Sequence, residues 1–178
     1  LGSHALATNT TADNNTAVGY SAMIANTTGA NNCAFGLNAL SVNTTGTENH
    51  SSGYATLSNN TTASYNTAVG ARALTANITG ANNTATGHKA LYANTTGQGN
   101  TATGVDSLIA NTTGAGNVAF GINSLMTNTT GSDNTAIGTA ALFVNTTASN
   151  NVAVGRDSLK ANTTGHSNVA IGKDAMVS

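Results

Sequence analysis

Eleven glycines recur every 17 residues, with no insertion or deletion: Gly2, Gly19, Gly36, Gly53, Gly70, Gly87, Gly104, Gly121, Gly138, Gly155 and Gly172. Counted from that Gly, other columns are as strict. Offset +4 is Leu or Met in every copy, from Leu6 to Met176. Offsets −4 and +7 are always Asn, and offset +9 is always Thr. Offset −2 is Ala except at Ser51, and offset +3 is Ala, Ser or Thr. In a globular fold each copy would sit in a different environment. Identical columns imply that equivalent residues stack on one another, which is a solenoid. A period of 17 is too short for paired-helix repeats, which need about 33 or more residues. It suits an all-β coil, a β-solenoid of about eleven rungs. One repeat domain is expected over 1–178. At about 4.8 Å per rung the rod is on the order of 50 Å long.

Within a rung, offsets −4 to −1 alternate side-chain size and suit a strand. The Gly follows as a bend. Offsets +3 to +6, such as Ala73 to Ala76, form a second short strand that sends Leu inward. Asn-Thr-Thr-Gly closes the coil as a turn. Stacked Asn side chains are expected to form hydrogen-bonded ladders along the axis.

The interior is narrow. Leu, Ile, Val and Phe together make only 30 of 178 residues, while Thr (32) and Asn (27) make a third. Offsets −1 and −2 are both largely apolar, so one apolar column points into the coil and the other out. The sequence alone leaves open which is which. An outward apolar column along a rod marks an interface, and a homo-oligomer is expected.

Composition excludes several functions. Charged residues are 6% of the chain and the net charge is −1. Nucleic-acid binding needs clustered Lys and Arg to neutralise phosphates, and no such cluster exists. No apolar run approaches the roughly 18 residues of a membrane-spanning helix, so this segment is not expected to insert in a membrane. Cys33 stands alone, which excludes a disulfide within the chain.

No catalytic or cofactor site is expected. The carboxylates Asp13, Glu48, Asp106, Asp133, Asp157 and Asp174 are spread over offsets −6, −5 and +2. Asp157 and Asp174 adjoin Arg156 and Lys173 and read as a solvated charged patch. Arg72 and Lys89, followed by Asp106 in the same column, read as surface charge. His4, His50, His88 and His166 share no column, so no metal site forms within one chain. His50 is the candidate for a metal on a three-fold axis, where symmetry would bring three copies together. It also reads as a defect in the repeat, beside Ser51 and Ser52. No Walker-type phosphate loop is present.

Two stripes are candidates for surface contact or a subunit interface. Tyr20, Leu37 and Tyr54 follow one another at offset +1, and Ile109, Met126 and Phe143 do so at +5. Aromatic stripes suit carbohydrate or protein contact.

Asn-Thr-Ala-Val-Gly at 15–19, Asn-Val-Ala-Val-Gly at 151–155 and Asn-Val-Ala-Ile-Gly at 168–172 resemble the YadA-like head repeats of trimeric autotransporter adhesins. The longer unit from Asn134 to Ala148 is similar to repeats of bacteriophage tail-fibre proteins. The resemblance covers essentially the whole chain. It implies a left-handed parallel β-roll, three of which associate as a homotrimer around one axis. It also implies an extracellular place, on a bacterial surface or a virion tail fibre. The role it implies is attachment to a host-surface glycan or protein. The adhesin repeat is nearer 14 residues and this one is 17.

Two other functions are consistent with the columns. Thr at +8 (Ile78 excepted) and +9 could make an ice-binding ladder, although adjacent residues face opposite ways. A polysaccharide-binding or polysaccharide-processing tail spike is the other, although the processing form needs an acid pair that the columns do not supply.

Overall fold

A computed structural model describes residues 2–177; the first and last residues of the expected 1–178 domain lie outside it. The chain is an all-β parallel solenoid. One sheet holds ten strands in sequential order: β1 (Thr16–Val18), β2 (Cys33–Phe35), β3 (His50–Ser52), β4 (Thr67–Val69), β5 (Thr84–Thr86), β6 (Thr101–Thr103), β7 (Val118–Phe120), β8 (Thr135–Ile137), β9 (Val152–Val154) and β10 (Val169–Ile171). Each pairs with the next in parallel, and the register follows the repeat: Thr16 opposite Cys33, Cys33 opposite His50, His50 opposite Thr67.

The rung count is lower than the glycines suggest. Eleven glycines predict eleven rungs, but the structure makes about nine full turns, the steps from β1 to β10. The copies at either end hold only part of the 17-residue unit. Gly2 has no complete strand before it, and the last copy stops short of its Asn-Thr-Thr turn.

The second expected strand does not form. Each turn has one strand, and offsets +3 to +6 run as successive tight turns. The cause is backbone sign. Offset +2 and offset +4 both take positive φ in every copy, with Leu40 at 52° and Leu91 at 53°. A left-handed residue cannot continue an extended strand. For a bulky L-residue that conformation costs on the order of 1 kcal/mol or more. Bonds between rungs offset the cost. Leu40 N–H donates to Thr56 O at 2.9 Å, and Leu91 N–H to Ser107 O at 3.0 Å.

The repeating Gly follows from the same geometry. Gly36 has φ of 134°, and a Cβ there would lie 2.4 Å from Gly53 O of the next rung. From Gly2 to Gly155 any side chain at this column would force the rungs apart.

The core is one file of large side chains between two files of small ones. Met23 and Leu40 through Leu142 at offset +4 are fully buried. Ala at offsets −2 and +3 packs against them, and Thr56, Ser107, Ser124 and Ser158 at +3 are buried as well. Offset −2 therefore lines the interior, and offset −1 points out.

Two Asn ladders close the rest of the section. Along offset +7, each amide from Asn26 onward donates to the carboxamide oxygen one rung before it and to the carbonyl at offset +10 of its own rung. Asn94 Nδ2 reaches Asn77 Oδ1 at 2.9 Å and Gly97 O at 3.0 Å. Along offset −4, backbone N–H groups join in. Asn83 N–H donates to Asn66 Oδ1 at 2.9 Å, and its Nδ2 to Gly97 O at 2.9 Å. Burying an unmatched amide would cost about 1–3 kcal/mol. Stacking identical amides supplies each donor with an acceptor, so a thin coil holds polar groups inside.

Ser51 also fits this interior. Strand β3 keeps full register with β2 and β4. Ser51 Oγ donates to Thr56 O at 3.0 Å and lies within hydrogen-bond reach of the Thr56 hydroxyl. Two departures from the small apolar columns thus satisfy one another.

Candidate functional site

The sheet's outer face is built from the residues that alternation turns outward. Along each strand −2 is buried and −3 and −1 face out. The next exposed column is +1, just past the Gly bend. Together −1 and +1 place apolar side chains in water along the rod. Tyr20 is 53% exposed, Tyr54 45% and Phe120 55%.

The stripe divides in two. Val18, Tyr20, Phe35, Leu37, Tyr54 and Val69 make one patch. Val105, Phe120, Ile122, Ile137 and Ile171 make the other. Between them lies a polar waist of Thr84 and Thr86 on β5, Thr101 and Thr103 on β6, and His88. Scattered exposed apolar residues are normal, but contiguous rows of this length are not.

The three offset +1 candidates, Tyr20, Leu37 and Tyr54, lie together in the first patch. Tyr20 meets the His4 ring edge-on, with centroids 5.6 Å apart. The Arg72 guanidinium stands 5.7 Å above the Tyr54 ring, a cation–π distance. The offset +5 candidates Ile109, Met126 and Phe143 are half-buried. They sit in the turn segment on the other side of offset +4 and are not part of the sheet face.

His50 is exposed on the outer face of β3, with Cys33 beside it in register on β2. Among the described residues no three His, Cys, Asp or Glu side chains converge. No helix of the structure is long and apolar enough to cross a membrane. A recess of about 300 Å³ lies at the last rung, lined by Leu159, Asn162, Asn168 and Met176 among others. Asn162 and Asn168 are members of the two Asn ladders, and the recess is the end of the coil's own interior.

Charge is concentrated near the C-terminal end. Asp157 is held by Arg156 Nε at 2.9 Å and Lys160 Nζ at 2.7 Å. The hydrogen bond from Lys160 is the main reason its carboxyl titrates below the usual range, against an opposing effect of burial; Arg156 adds to the lowering. Lys173 and Asp174 are 3.4 Å apart.

The two Thr columns separate by direction. At offset +8 the Thr hydroxyls from Thr10 to Thr129 donate to the carbonyl of the next rung, while Thr146 and Thr163 near the C-terminal end are exposed. Thr27 and Thr112 donate to the carbonyls of Thr44 and Thr129, both at 3.0 Å. Offset +9 is exposed in every copy, from Thr11 to Thr164.

The outward direction of offset −1 escaped sequence reasoning because Ala and Val are both apolar. One signal did exist. Only the column that is uniformly Ala or Ser fits the space left beside a Leu file; the column that admits Phe35 and Phe120 does not. No protein-family model matches this chain, and no curated protein or solved structure matches it either.

Proposed function

We propose that this chain is a non-enzymatic structural and adhesive segment of a trimeric surface fibre, carried on a virion tail or a bacterial surface. The observation that carries the reading is the pair of outward apolar patches on one face of a gapless rod. Side chains such as Phe120 and Ile122 are stable in water only at a cost of about 25 cal/mol per Å², and copies of the same rod can cover them. The resemblance of the Asn-Val-Ala-Val-Gly segments to YadA-like heads and phage fibres supports three copies, a left-handed roll and an extracellular place. Attachment to a host glycan or protein would fall to the columns that the assembly leaves uncovered.

Sedimentation equilibrium tests the assembly. The expected mass is three times the 17.5 kDa chain, and a strictly monomeric species removes the trimer. Phe120→Asp with Ile122→Asp is expected to give a folded monomer. Fluorescently labelled trimer should be retained on host cells; no retention on any cell surface removes the adhesive part. The ice-binding alternative is left with one complete exposed file of Thr hydroxyls, at +9, because those at +8 from Thr10 to Thr129 are bonded within the ladder. Thermal hysteresis would restore it, and turnover of a polysaccharide by the purified chain would restore the tail-spike reading.

A further inference from the structure

Offset −5 is exposed and takes positive φ in every copy, from Asn14 to Ser167. The coil imposes that sign whatever the residue. The N–H at this place donates to the carbonyl at −6 of the rung before: Glu48 to Ala30 O at 3.1 Å, Tyr65 to Thr47 O at 3.1 Å and Asn82 to Ser64 O at 3.2 Å. Asn, Asp and Gly enter the left-handed region at least cost, and seven of the ten copies are of that kind. The exceptions are Ser167 in the last turn and, on adjacent rungs, Glu48 and Tyr65, at φ of 56° and 61°. A bulky residue in this region is a true outlier.

Packing offsets neither departure. Tyr65 is 54% exposed. Glu48 is exposed and has no ion pair among the described residues. The other tyrosines lie elsewhere: Tyr20 and Tyr54 on the apolar face, Tyr92 half-buried at +5. Strain kept at an exposed place, with no return to the fold, points to a ligand outside it.

The chemistry of the edge says which ligand. Rungs repeat at about 4.8 Å, so Glu48, Tyr65 and Asn82 stand in file with the ring in the middle. Thr62 and Thr79, at +9 of the same rungs as Tyr65 and Asn82, are exposed, and their hydroxyls make no hydrogen bond among the described residues. An aromatic face attracts the C–H groups of a sugar ring. A carboxylate on one side and a carboxamide on the other offer acceptors and donors to its hydroxyls. No Lys or Arg occupies offsets +8 to −5 in any rung, so nothing on this edge would neutralise a sialic acid or a sulfate, and Glu48 repels both.

Resting on the adhesive reading proposed above, we infer that Glu48, Tyr65 and Asn82, with Thr62 and Thr79, bind a neutral oligosaccharide whose ring stacks on Tyr65. The site does not use the −1 and +1 columns that self-association would cover.

The probe is an array of neutral hexose and N-acetylhexosamine oligosaccharides beside sialylated and sulfated ones, offered to the labelled full chain. Binding is expected on neutral members. Tyr65→Asn should weaken it about tenfold or more and Glu48→Asn about threefold or more, while Tyr65→Phe keeps it within about threefold. Both Asn variants should sediment as the parent does and melt about 2 °C or more above it, because they relieve left-handed strain. A purely structural role would not join weaker binding to a higher melting temperature. Asn variants that melt at or below the parent would show that Glu48 and Tyr65 serve the fold, and overturn the inference. So would the lack of binding to any neutral glycan, binding confined to acidic ones, or a Tyr65→Asn chain that binds as the parent does. Retention on host cells that survives Tyr65→Asn, or that protease treatment of the cells abolishes and periodate does not, overturns the glycan site and leaves adhesion standing. No retention on any cell surface removes adhesion itself.

Discussion

Asn77 Nδ2 donates to Asn60 Oδ1 at 2.9 Å, and Asn77 Oδ1 in turn accepts from Asn94 Nδ2 at 2.9 Å. All three side chains are fully buried. Each amide is thus both the roof of one rung and the floor of the next. Asn77→Asp keeps the shape and removes both donors, which face Asn60 Oδ1 and Gly80 O. A carboxylate facing two carbonyl oxygens in the interior should cost about 3–5 kcal/mol. Asn162→Asp should cost less, because Asn162 is only half-buried and its ladder bond is 3.4 Å long. Urea unfolding of the two variants checks the difference; equal losses would contradict a continuous ladder.

The Leu file makes the second prediction. Leu91 is fully buried at φ of 53°. Leu91→Ala removes most of the large side chain in its rung and should destabilise by about 2–5 kcal/mol. Leu91→Met should cost less than about 1.5 kcal/mol, since Met23 already fills the same column with the same backbone sign. Thermal unfolding of both variants decides whether the column reads volume or Leu identity.

These same residues show what the sequence could reveal. The 17-residue period specifies the register of every strand pair, because a slip of one residue would turn the Ala column outward and the Phe35 column inward. Asn at −4 and +7 announces ladders because no other role needs an amide at the same place in each copy. The backbone at Leu91 was not legible. Leu has no preference for positive φ, and only its neighbours force it there. Asn38, Asp106 and Asn123 at +2 do favour that region, so the turn had a signal one side of the Leu and none at it.

Ser51 and Thr56 supply a third test. One hydroxyl donates to the other, and each has a backbone carbonyl as its alternative acceptor: Thr56 O at 3.0 Å from Ser51 Oγ, and Gly53 O at 3.1 Å from Thr56 Oγ1. Either single change to Ala should therefore be tolerated within about 1 kcal/mol, with a coupling of roughly 0.5–1 kcal/mol between the two. The double variant restores the Ala pair found in neighbouring rungs and should be at least as stable as the parent. Additive losses in a denaturation cycle would mean that the two hydroxyls do not share a bond.

Asp157 fixes a pH dependence. Lys160 and Arg156 hold its carboxyl below the ordinary value of 3.8. A carboxylate whose folded pKa is depressed adds stability above the unfolded pKa and loses it as pH falls through the folded one. The parent should therefore be more stable than Asp157→Asn at neutral pH. The gap should begin to close near pH 3.8 and continue to shrink below it. Melting temperatures of both proteins across this range check the sign. A gap that widens in acid would contradict it.

The Asn-Thr-Thr and Asn-Ile-Thr segments match the acceptor motif for N-glycosylation, and burial divides the matches sharply. At offset +7 the acceptor nitrogen is already donating inside the ladder, as at Asn43 and Asn111, and a glycan there is incompatible with a closed coil. Asn49 begins a match as well and is buried in the other ladder. Among Asn residues that begin such a motif, Asn14, Asn59 and Asn82 are exposed. Passed through a glycosylating secretory host, the chain should be modified before it folds, and copies modified along the ladders should fail to close. The folded secreted fraction should then carry glycan only at Asn14, Asn59 and Asn82, as mapped by peptide mass spectrometry. Blocking glycosylation should raise the folded yield. A folded, glycosylated Asn77 or Asn94 would show that the ladder can open without unfolding the rod.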